Sequence, residues 1–374
     1  MKTALVHDWL ISIGGAEKVL EAIYGLYPSK IHTLVQDPKL LIGTFFADKQ
    51  IETSFIQSLP IAKKMHRSYL PFFPIAIEQF NLTGYDVILS SSHAVAKGVL
   101  THANQLHICY CHTPIRYAWD LYPSYMEPLG WFKKPMAQMV LHGIRKWDIS
   151  SLNRVDHFIA NSYYVSKRIQ KIYGKKARVI YPPVEIDSFY ISAKKEDYFI
   201  ACSRLVPYKR MDLIVEAFRN MPDKKLLIVG TGPELSKLKK RATQNIELLG
   251  FCSNEELRQL LSQAKALIFA AEEDFGIVMV EALSSGTPVI ALAKGGACEI
   301  ILDEKMGILY PHQTPSCLIG AIDQFEQDRD RFDPQYIKSS AARFSRKRFE
   351  QEFQSFVTDK YTEFLDISKR MTMQ

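Results

Sequence analysis

The sequence predicts an α/β fold made of two doubly wound domains, each a mainly parallel sheet covered by helices. Three observations carry this. Short apolar runs alternate with helical patterns along most of the chain, the signature of βαβ units. The alternation breaks near Pro182-Pro183, and the polar segment SAKKEDY leads into a second series, so the two are joined near residues 182–196. Glycine turns or charged residues follow several of the runs, at the strand ends where open α/β sheets bind ligands. The length, 374 residues, sets a prior of about two to three domains.

In chain order, the opening run KTALVHDWL reads as a strand. Ile13-Gly14-Gly15-Ala16-Glu17-Lys18 then leads into a helical pattern of Val19, Leu20, Ile23 and Leu26. A strand, a glycine turn and a helix start make a phosphate-binding shape. The first N–H groups of a helix are unsatisfied, and its dipole favours anions. Further strands read at 86–89, 107–111, 156–160 and 178–181, and in the second series at 198–203, 225–229, 246–249, 266–270 and 288–293. From about Gln335 the chain reads as helix, with Phe344, Phe349, Phe353, Phe356, Tyr361 and Phe364 roughly on one face. Such an aromatic stripe has to be buried on something. The expected division is 1–184, 185–350, and a C-terminal helix at 351–374 packing back on the first domain.

Composition narrows the class. Hydrophobic residues are 47% and charged residues 23%, an ordinary globular balance that excludes disorder, collagen and a small disulfide scaffold. No run reaches the roughly 18 apolar residues of a membrane-spanning helix. His7 and Asp8 stand where a signal peptide's apolar region would lie, so export is not expected. The six cysteines contain no C-x-x-C pair, which suits a reducing cytosol better than disulfides or structural zinc. Net charge is +7, and residues 1–184 hold 21 Lys+Arg against 12 Asp+Glu. Nine of the ten histidines lie there too. A basic half implies a polyanionic neighbour, whether nucleic acid, a phosphorylated ligand or an anionic membrane. A merely solubilising surface has the same composition.

Two segments sharpen that choice. Residues 59–80 mix Lys63, Lys64 and Arg67 with Leu70, Phe72, Phe73 and Ile75. Residues 125–147 mix Tyr125, Trp131, Phe132 and Trp147 with Lys133, Lys134, Arg145 and Lys146. Basic residues beside bulky apolar ones are the composition of a membrane-interface contact. Core aromatics with solvated lysines between them look alike in sequence.

The motifs that carry chemistry follow strands. Glu273 and Glu281 bracket the segment EDFGIVMVE, eight positions apart. Glu273 lies in the loop after ALIFA, placed to take sugar hydroxyls. Gly276 opens a helix, and Glu281 inside it is placed to accept both hydroxyls of a ribose. The N–H groups near Gly276, Ile277 and Val278 are free to face a phosphate or sugar. The spacing alone also fits two surface glutamates. Ser203-Arg204-Leu-Val-Pro-Tyr-Lys209-Arg210 follows the first strand of the second series, and fixed cations there can neutralise a pyrophosphate. Val229-Gly-Thr-Gly232-Pro-Glu234 starts like a dinucleotide fingerprint but has Leu235 where the third glycine belongs. Gly295-Gly296-Ala-Cys-Glu299 is another glycine turn after a strand. In the first half, Tyr110-Cys-His112-Thr-Pro114 places His112 at a strand end, a plausible pocket position. Asn161-Ser162 is a good helix N-cap. Asp328-Arg-Asp330 has the metal-binding D-x-D form but lies in the charged run EQDRDRFD, so it reads as solvated surface.

Taken together and in order, GGAEK, HTP, NS, SRLVPYK, VGTGPE, LLGF, the paired glutamates and GGxxE resemble glycosyltransferase family 4, retaining enzymes of the GT-B architecture, in which two Rossmann-like domains face a cleft. HDWL, GGAEKV and YCHTPIRYAWDLY more narrowly resemble its bacterial O-antigen mannosyltransferases. The resemblance implies a first domain for the acceptor and a second for the nucleotide-sugar. It implies that Arg204 and Lys209 hold the diphosphate, that Glu281 binds the ribose, and that Glu273 contacts the donor sugar, with Phe275–Val278 adding backbone contacts. Gly250 and Phe251 would meet the base, Gly14 and Gly15 would let the first domain's backbone approach the phosphate, and His112 would be the active-site histidine. Catalysis would need neither metal nor cofactor beyond the donor, taken as GDP-mannose. The acceptor would be a lipid-linked or cell-surface glycan, met by Lys63, Lys64, Arg67, Phe72, Phe73, Trp131 and Lys133 at the cytoplasmic face of a membrane, in lipopolysaccharide O-antigen synthesis.

Two other readings stay open. One is a sugar-nucleotide epimerase or phosphorylase of the same architecture, which would need no basic-apolar patch. The other is a non-catalytic nucleotide or nucleic-acid-binding module, which no recognised nucleic-acid motif supports.

Overall fold

The computed structural model describes residues 1–127 and 129–372. They divide into two compact units. The first runs from Met1 to Pro183 and resumes at Phe349; the second is Val184–Arg348. The chain therefore returns to the first unit two residues before the 351 expected from sequence.

The first unit is built on a seven-stranded sheet. Its strands are β1 (Thr3–His7), β2 (Ile31–Thr33), β3 (Ile51–Thr53), β4 (Val87–Ser92), β5 (Leu106–Cys111), β6 (His157–Ala160) and β7 (Ala177–Val179). The spatial order is β3-β2-β1-β4-β5-β6-β7, with every pair parallel. All residues of β1, β4 and β5 are buried, which is why they read as apolar runs without alternation. Successive side chains still part between two cores. Leu5 and Leu89 join the cluster with Leu20, Ile23, Phe349 and Phe353, while Ala4, Val6 and Ile88 join the one with Phe73 and Ile77. The chain leaves β1 in one direction and returns through β4 in the other, so the sheet's switch point lies between these two strands.

The second unit has a six-stranded sheet of β8 (Phe199–Cys202), β9 (Leu226–Val229), β10 (Ile246–Gly250), β11 (Leu267–Phe269), β12 (Val289–Leu292) and β13 (Gly307–Tyr310). The order is β10-β9-β8-β11-β12-β13, again parallel, with the switch point between β8 and β11. Strands β2, β3 and β13, of three or four residues each, are absent from the sequence reading.

The last helix is Arg346–Thr372. From Phe349 onward it packs on the first unit. Phe349 and Phe353 are fully buried there beside Tyr110, and Phe356, Tyr361 and Phe364 flank them. Phe344 is not part of that stripe. It ends a separate 3-10 turn, Ala341–Phe344, and packs edge-on against Phe275 of the second unit, with centroids 5.4 Å apart.

A Phe353→Ala variant removes a ring only 1% exposed. The cavity and lost transfer energy cost about 3–5 kcal/mol. We expect an early urea transition that a Phe344→Ala variant does not reproduce in the first unit; matching transitions in the two variants would refute the assignment.

Candidate active site

In the second unit, the loops at the switch point carry the predicted cations and carboxylates. Strand β8 runs out at Cys202, and the chain passes Arg204, which is exposed, into the 3-10 turn Pro207–Lys209. Glu273 lies in the loop after β11. Lys209 Nζ stands 2.6 Å from Glu273 Oε1, so the structure joins these two predicted residues in a largely buried ion pair. Gly276 caps the helix Ile277–Ser284 at φ 93°, and Glu281 is buried inside that helix. By helix geometry the first N–H groups, at Ile277 and Val278, have no intrahelical acceptor. Gly250 ends β10 at φ 78°, and Phe251 after it is 83% exposed.

The glycine motifs explain how these loops are held. A Cβ on Gly230 would lie 1.9 Å from the Ser203 carbonyl, and one on Gly232 would lie 2.3 Å from that of Leu205. The VGTGPE turn therefore serves as a close support for the Arg204 loop. Likewise a Cβ on Gly295 or Gly296 would lie 2.2 Å from the carbonyl of Glu273 or Phe275, and the Gly296 N–H donates to Glu273 O at 2.9 Å. Asp330 is exposed and Asp328 pairs with Arg331. Among the described residues no group of three or more His, Cys, Asp or Glu is placed to hold a metal.

In the first unit, His112 follows β5 and is 9% exposed. It belongs to a buried polar cluster at the β1–β4 switch point that sequence reasoning missed. Ser91 Oγ lies 2.8 Å from His112 Nε2 and 3.1 Å from His7 Nδ1. His7 Nε2 lies 3.6 Å from Glu17 Oε1, and Glu17 Oε2 accepts the Gly14 N–H at 2.8 Å. Gly14 is the N-cap of the helix Gly15–Leu26, so Glu17 closes a capping box on the glycine turn. Asp8, fully buried, accepts the N–H groups of residues 93–96 at 2.6–2.9 Å and lies 3.2 Å from His93 Nδ1. Trp9 packs on both His66 and His93. The available signal was the concentration of histidines in the first half and the strand-end runs VHDW and SSSH.

Burial decides the charge states here. Desolvation drives His112 well below the usual histidine range, with His93 and His7 adding to it. Desolvation also lowers His93, against the pull of Asp8. Burial pushes Glu17 up, but the neighbouring His7, with smaller pulls from His93 and a backbone N–H, outweighs it and leaves the carboxyl below its ordinary value. Ser162 caps the helix Tyr163–Tyr173 by accepting the Val165 N–H at 3.0 Å.

The basic-apolar segments are largely exposed. Lys63, Lys64, Arg67, Lys133 and Lys134 all face solvent, as do Phe72, Ile75, Met136 and Met139. Trp131 and Phe132 are each 75% exposed. The two segments meet where Leu70 packs on the cluster of Leu141 and Ile144. Phe73 is a correction: it is 1% exposed and sits in the core against Trp9, because its helix turns it inward with Ala76 and Ile77. Trp147 is also turned in, its ring over Lys97 and its Nε1 donating to Glu78.

Comparison with known proteins gives a consistent picture. A family model described as "Glycosyl transferases group 1" matches residues 185–344, and one described as "Glycosyltransferase Family 4" matches 42–188. The chain is 23% identical to the alpha-1,3/1,6-mannosyltransferase alg2 of Schizosaccharomyces pombe, over 84% of this chain and 71% of that one. It is 29% identical to a GDP-mannose-dependent alpha-(1-6)-phosphatidylinositol monomannoside mannosyltransferase of Mycobacterium tuberculosis, over 54% of this chain and 59% of the relative. Against several of the curated relatives it matches, the chain spans only about half their length. Among solved structures, Anabaena HepE in complex with UDP superposes with a TM-score of 0.70 at 20% identity, covering 96% of this chain and all of that one. The sucrose-phosphate synthase of Thermosynechococcus elongatus does so with a TM-score of 0.74 at 16% identity, covering 97% and 100%. These likenesses establish the fold, two parallel-sheet α/β domains of the GT-B type.

Burial pushes His66 and His107 down to about 4. The unfolded chain takes up a proton near the ordinary pH of about 6.5 that the folded chain refuses. Their contribution is therefore complete above that pH and is lost as pH falls toward 4. We expect Tm to fall between pH 7 and 5, and His107→Gln to flatten the slope; an unchanged slope in the variant would remove His107 as a cause.

Proposed function

We propose, from the premise that this chain belongs to the family 4 type of GT-B glycosyltransferases, that it is a retaining hexosyltransferase carrying mannose from GDP-mannose to a lipid-linked, O-antigen-type glycan. The observation that carries the reading is the pairing of Lys209 with Glu273 at the β8–β11 switch point. In this reading the leaving diphosphate takes Lys209 and Arg204. Glu273, released toward the sugar, holds its hydroxyls, Glu281 takes the ribose, and the N–H groups of Ile277 and Val278 add backbone donors. Gly250 and Phe251 border the base. His112 is the first unit's catalytic residue, and the Gly14-Gly15 turn its phosphate contact.

The chemistry asked of these groups is modest. The acceptor hydroxyl attacks on the face from which the diphosphate departs, and a phosphate oxygen takes its proton. Positioning and fixed positive charge then supply most of the rate. Two cations at a strand end do the work a metal does elsewhere, so we read the enzyme as metal-independent. GDP-mannose is supported by the mycobacterial relatives, which are GDP-mannose-dependent mannosyltransferases.

The acceptor side is read from the exposed basic-apolar patch. No acidic residue occurs between Glu52 and Glu78, nor between Glu127 and Asp148, so both segments carry an excess of positive charge beside exposed aromatics, although Lys63 lies 4.0 Å from Asp37. Each Lys or Arg near an anionic leaflet contributes about 1 kcal/mol, and apolar side chains add burial at the interface. Among the described residues no helix is long and apolar enough to cross a membrane. We place the protein peripherally, at the cytoplasmic face.

Experiments on the leaving group, the donor and the patch test this. Lys209→Ala should lower kcat by about 100-fold, the loss of one preorganised charge contact, while EDTA leaves the wild type active. Full activity in the variant, or loss with EDTA, defeats the leaving-group reading. GDP-mannose at 100 times Kd should stabilise the protein by about 2.7 kcal/mol in thermal shift. A donor altered without any acceptor would favour the epimerase reading. For the patch, Lys63, Lys64 and Arg67 replaced together by Glu should release the protein from anionic vesicles with donor binding intact. Wild type that stays in the supernatant at low salt overturns the membrane assignment.

A further inference from the structure

The buried cluster around His112 orders its hydrogen bonds in one direction, and the order starts at Glu17. This carboxylate is 5% exposed and uses one oxygen to cap Gly14. The other faces His7 Nε2 at 3.6 Å, an ion-pair contact rather than a formed hydrogen bond. An ionised carboxylate only accepts, so His7 is stabilised when the proton is on Nε2 and destabilised when a bare lone pair faces the carboxylate. A singly protonated His7 then keeps Nδ1 as an acceptor. The nearest donor is the Ser91 hydroxyl at 3.1 Å. A hydroxyl has one hydrogen to give, and given to His7 it leaves only lone pairs for His112 Nε2 at 2.8 Å. That nitrogen must supply the N–H.

We propose that Glu17, His7 and Ser91 are positioning residues that set the tautomer of His112, holding its proton on Nε2 and leaving Nδ1 as the acceptor. Among the described residues nothing bonds to Nδ1. His7 Nδ1 also lies 3.2 Å from the Ser91 carbonyl. Using that contact would move the proton to Nδ1 and set a bare Nε2 against Glu17, so the carboxylate decides between the two. Asp8 does not compete, because its oxygens take the N–H groups of residues 93–96. Glu17 thus couples two parts of the first unit, the glycine turn through one oxygen and the His112 ring through the other. The consequence for catalysis rests on the reading of His112 given above; the tautomer itself does not.

The test is a long-range proton–nitrogen correlation spectrum of the full chain labelled with 15N-histidine, at pH 8, where imidazoles carry one proton. The His112 signals are assigned from their loss in His112→Gln. In wild type we expect a protonated, pyrrole-type nitrogen at Nε2 and a bare, pyridine-type nitrogen at Nδ1. Glu17→Gln retains an oxygen for Gly14 and turns an amide N–H toward His7, so the chain should reverse and move the His112 proton to Nδ1. Ser91→Ala cuts the chain and should leave His112 with averaged shifts. His107, bonded separately to Ser90 and Arg154, should not change and reports an intact fold. A wild-type proton on Nδ1, or His112 shifts unmoved in both variants, overturns the proposal; Ser91→Ala leaves the cap untouched and decides even if Glu17→Gln does not fold. Hydrolysis of GDP-mannose should lose about tenfold or more in kcat with little change in KM in both variants. A changed tautomer with unchanged hydrolysis supports the proposal and overturns the catalytic role of His112.

Discussion

The second unit depends on backbones that approach more closely than any side chain permits. The loops bearing Arg204 and Glu273 leave the two strands at the switch point. Each is supported from outside by a glycine pair from the next strand: Gly230 and Gly232 after β9, Gly295 and Gly296 after β12. The carbonyls of Ser203, Leu205, Glu273 and Phe275 occupy the volume where a Cβ would stand. Gly230 and Gly295 also take φ of 138° and 64°, which cost an L side chain strain in addition to the collision. With both loops supported in this way, Lys209 and Glu273 meet at ion-pair distance. This is also why a glycine pattern resembling a dinucleotide fingerprint stands here without the third glycine. Its glycines admit a neighbouring loop of the same unit.

The first unit reaches a comparable result with buried carboxylates. Asp8 takes four consecutive N–H groups from the turn after β4, and Glu17 takes one from the turn after β1. Such a donor, with His7 and His93 nearby, holds the Glu17 carboxyl below its ordinary value despite its burial. The surrounding histidines follow the opposite logic. Desolvation lowers His66, His93 and His112, which favours neutral imidazoles beside the Glu17 carboxylate. Neutral imidazoles have a direction, because one nitrogen donates and the other accepts. Much of the basic charge of this half lies elsewhere, on exposed side chains such as Lys63, Lys64 and Arg67.

Much of this was legible from sequence, for a definite reason. A strand buried on both faces in a parallel sheet is rich in apolar residues, so β1, β4, β5 and the central strands of the second unit stand out locally. Helix starts, the Pro182-Pro183 break and the residues at strand ends are local as well, and they made Arg204, Lys209, Glu273, Glu281 and His112 candidates. What failed was whatever depended on a neighbour distant in the chain. Phe73 and Phe72 are adjacent and alike in type, yet one is core and the other exposed. Phe344 and Phe349 fit one stripe but belong to different units. His7 and Ser91 are 84 positions apart, and Ser91 and His112 are 21 apart. Their contact exists because β4 lies between β1 and β5, and strand order is set by which faces pack together, a long-range balance that no local pattern records. The sequence by itself determined the fold class and the chemical types present at the strand ends; the tertiary structure decided which of them touch.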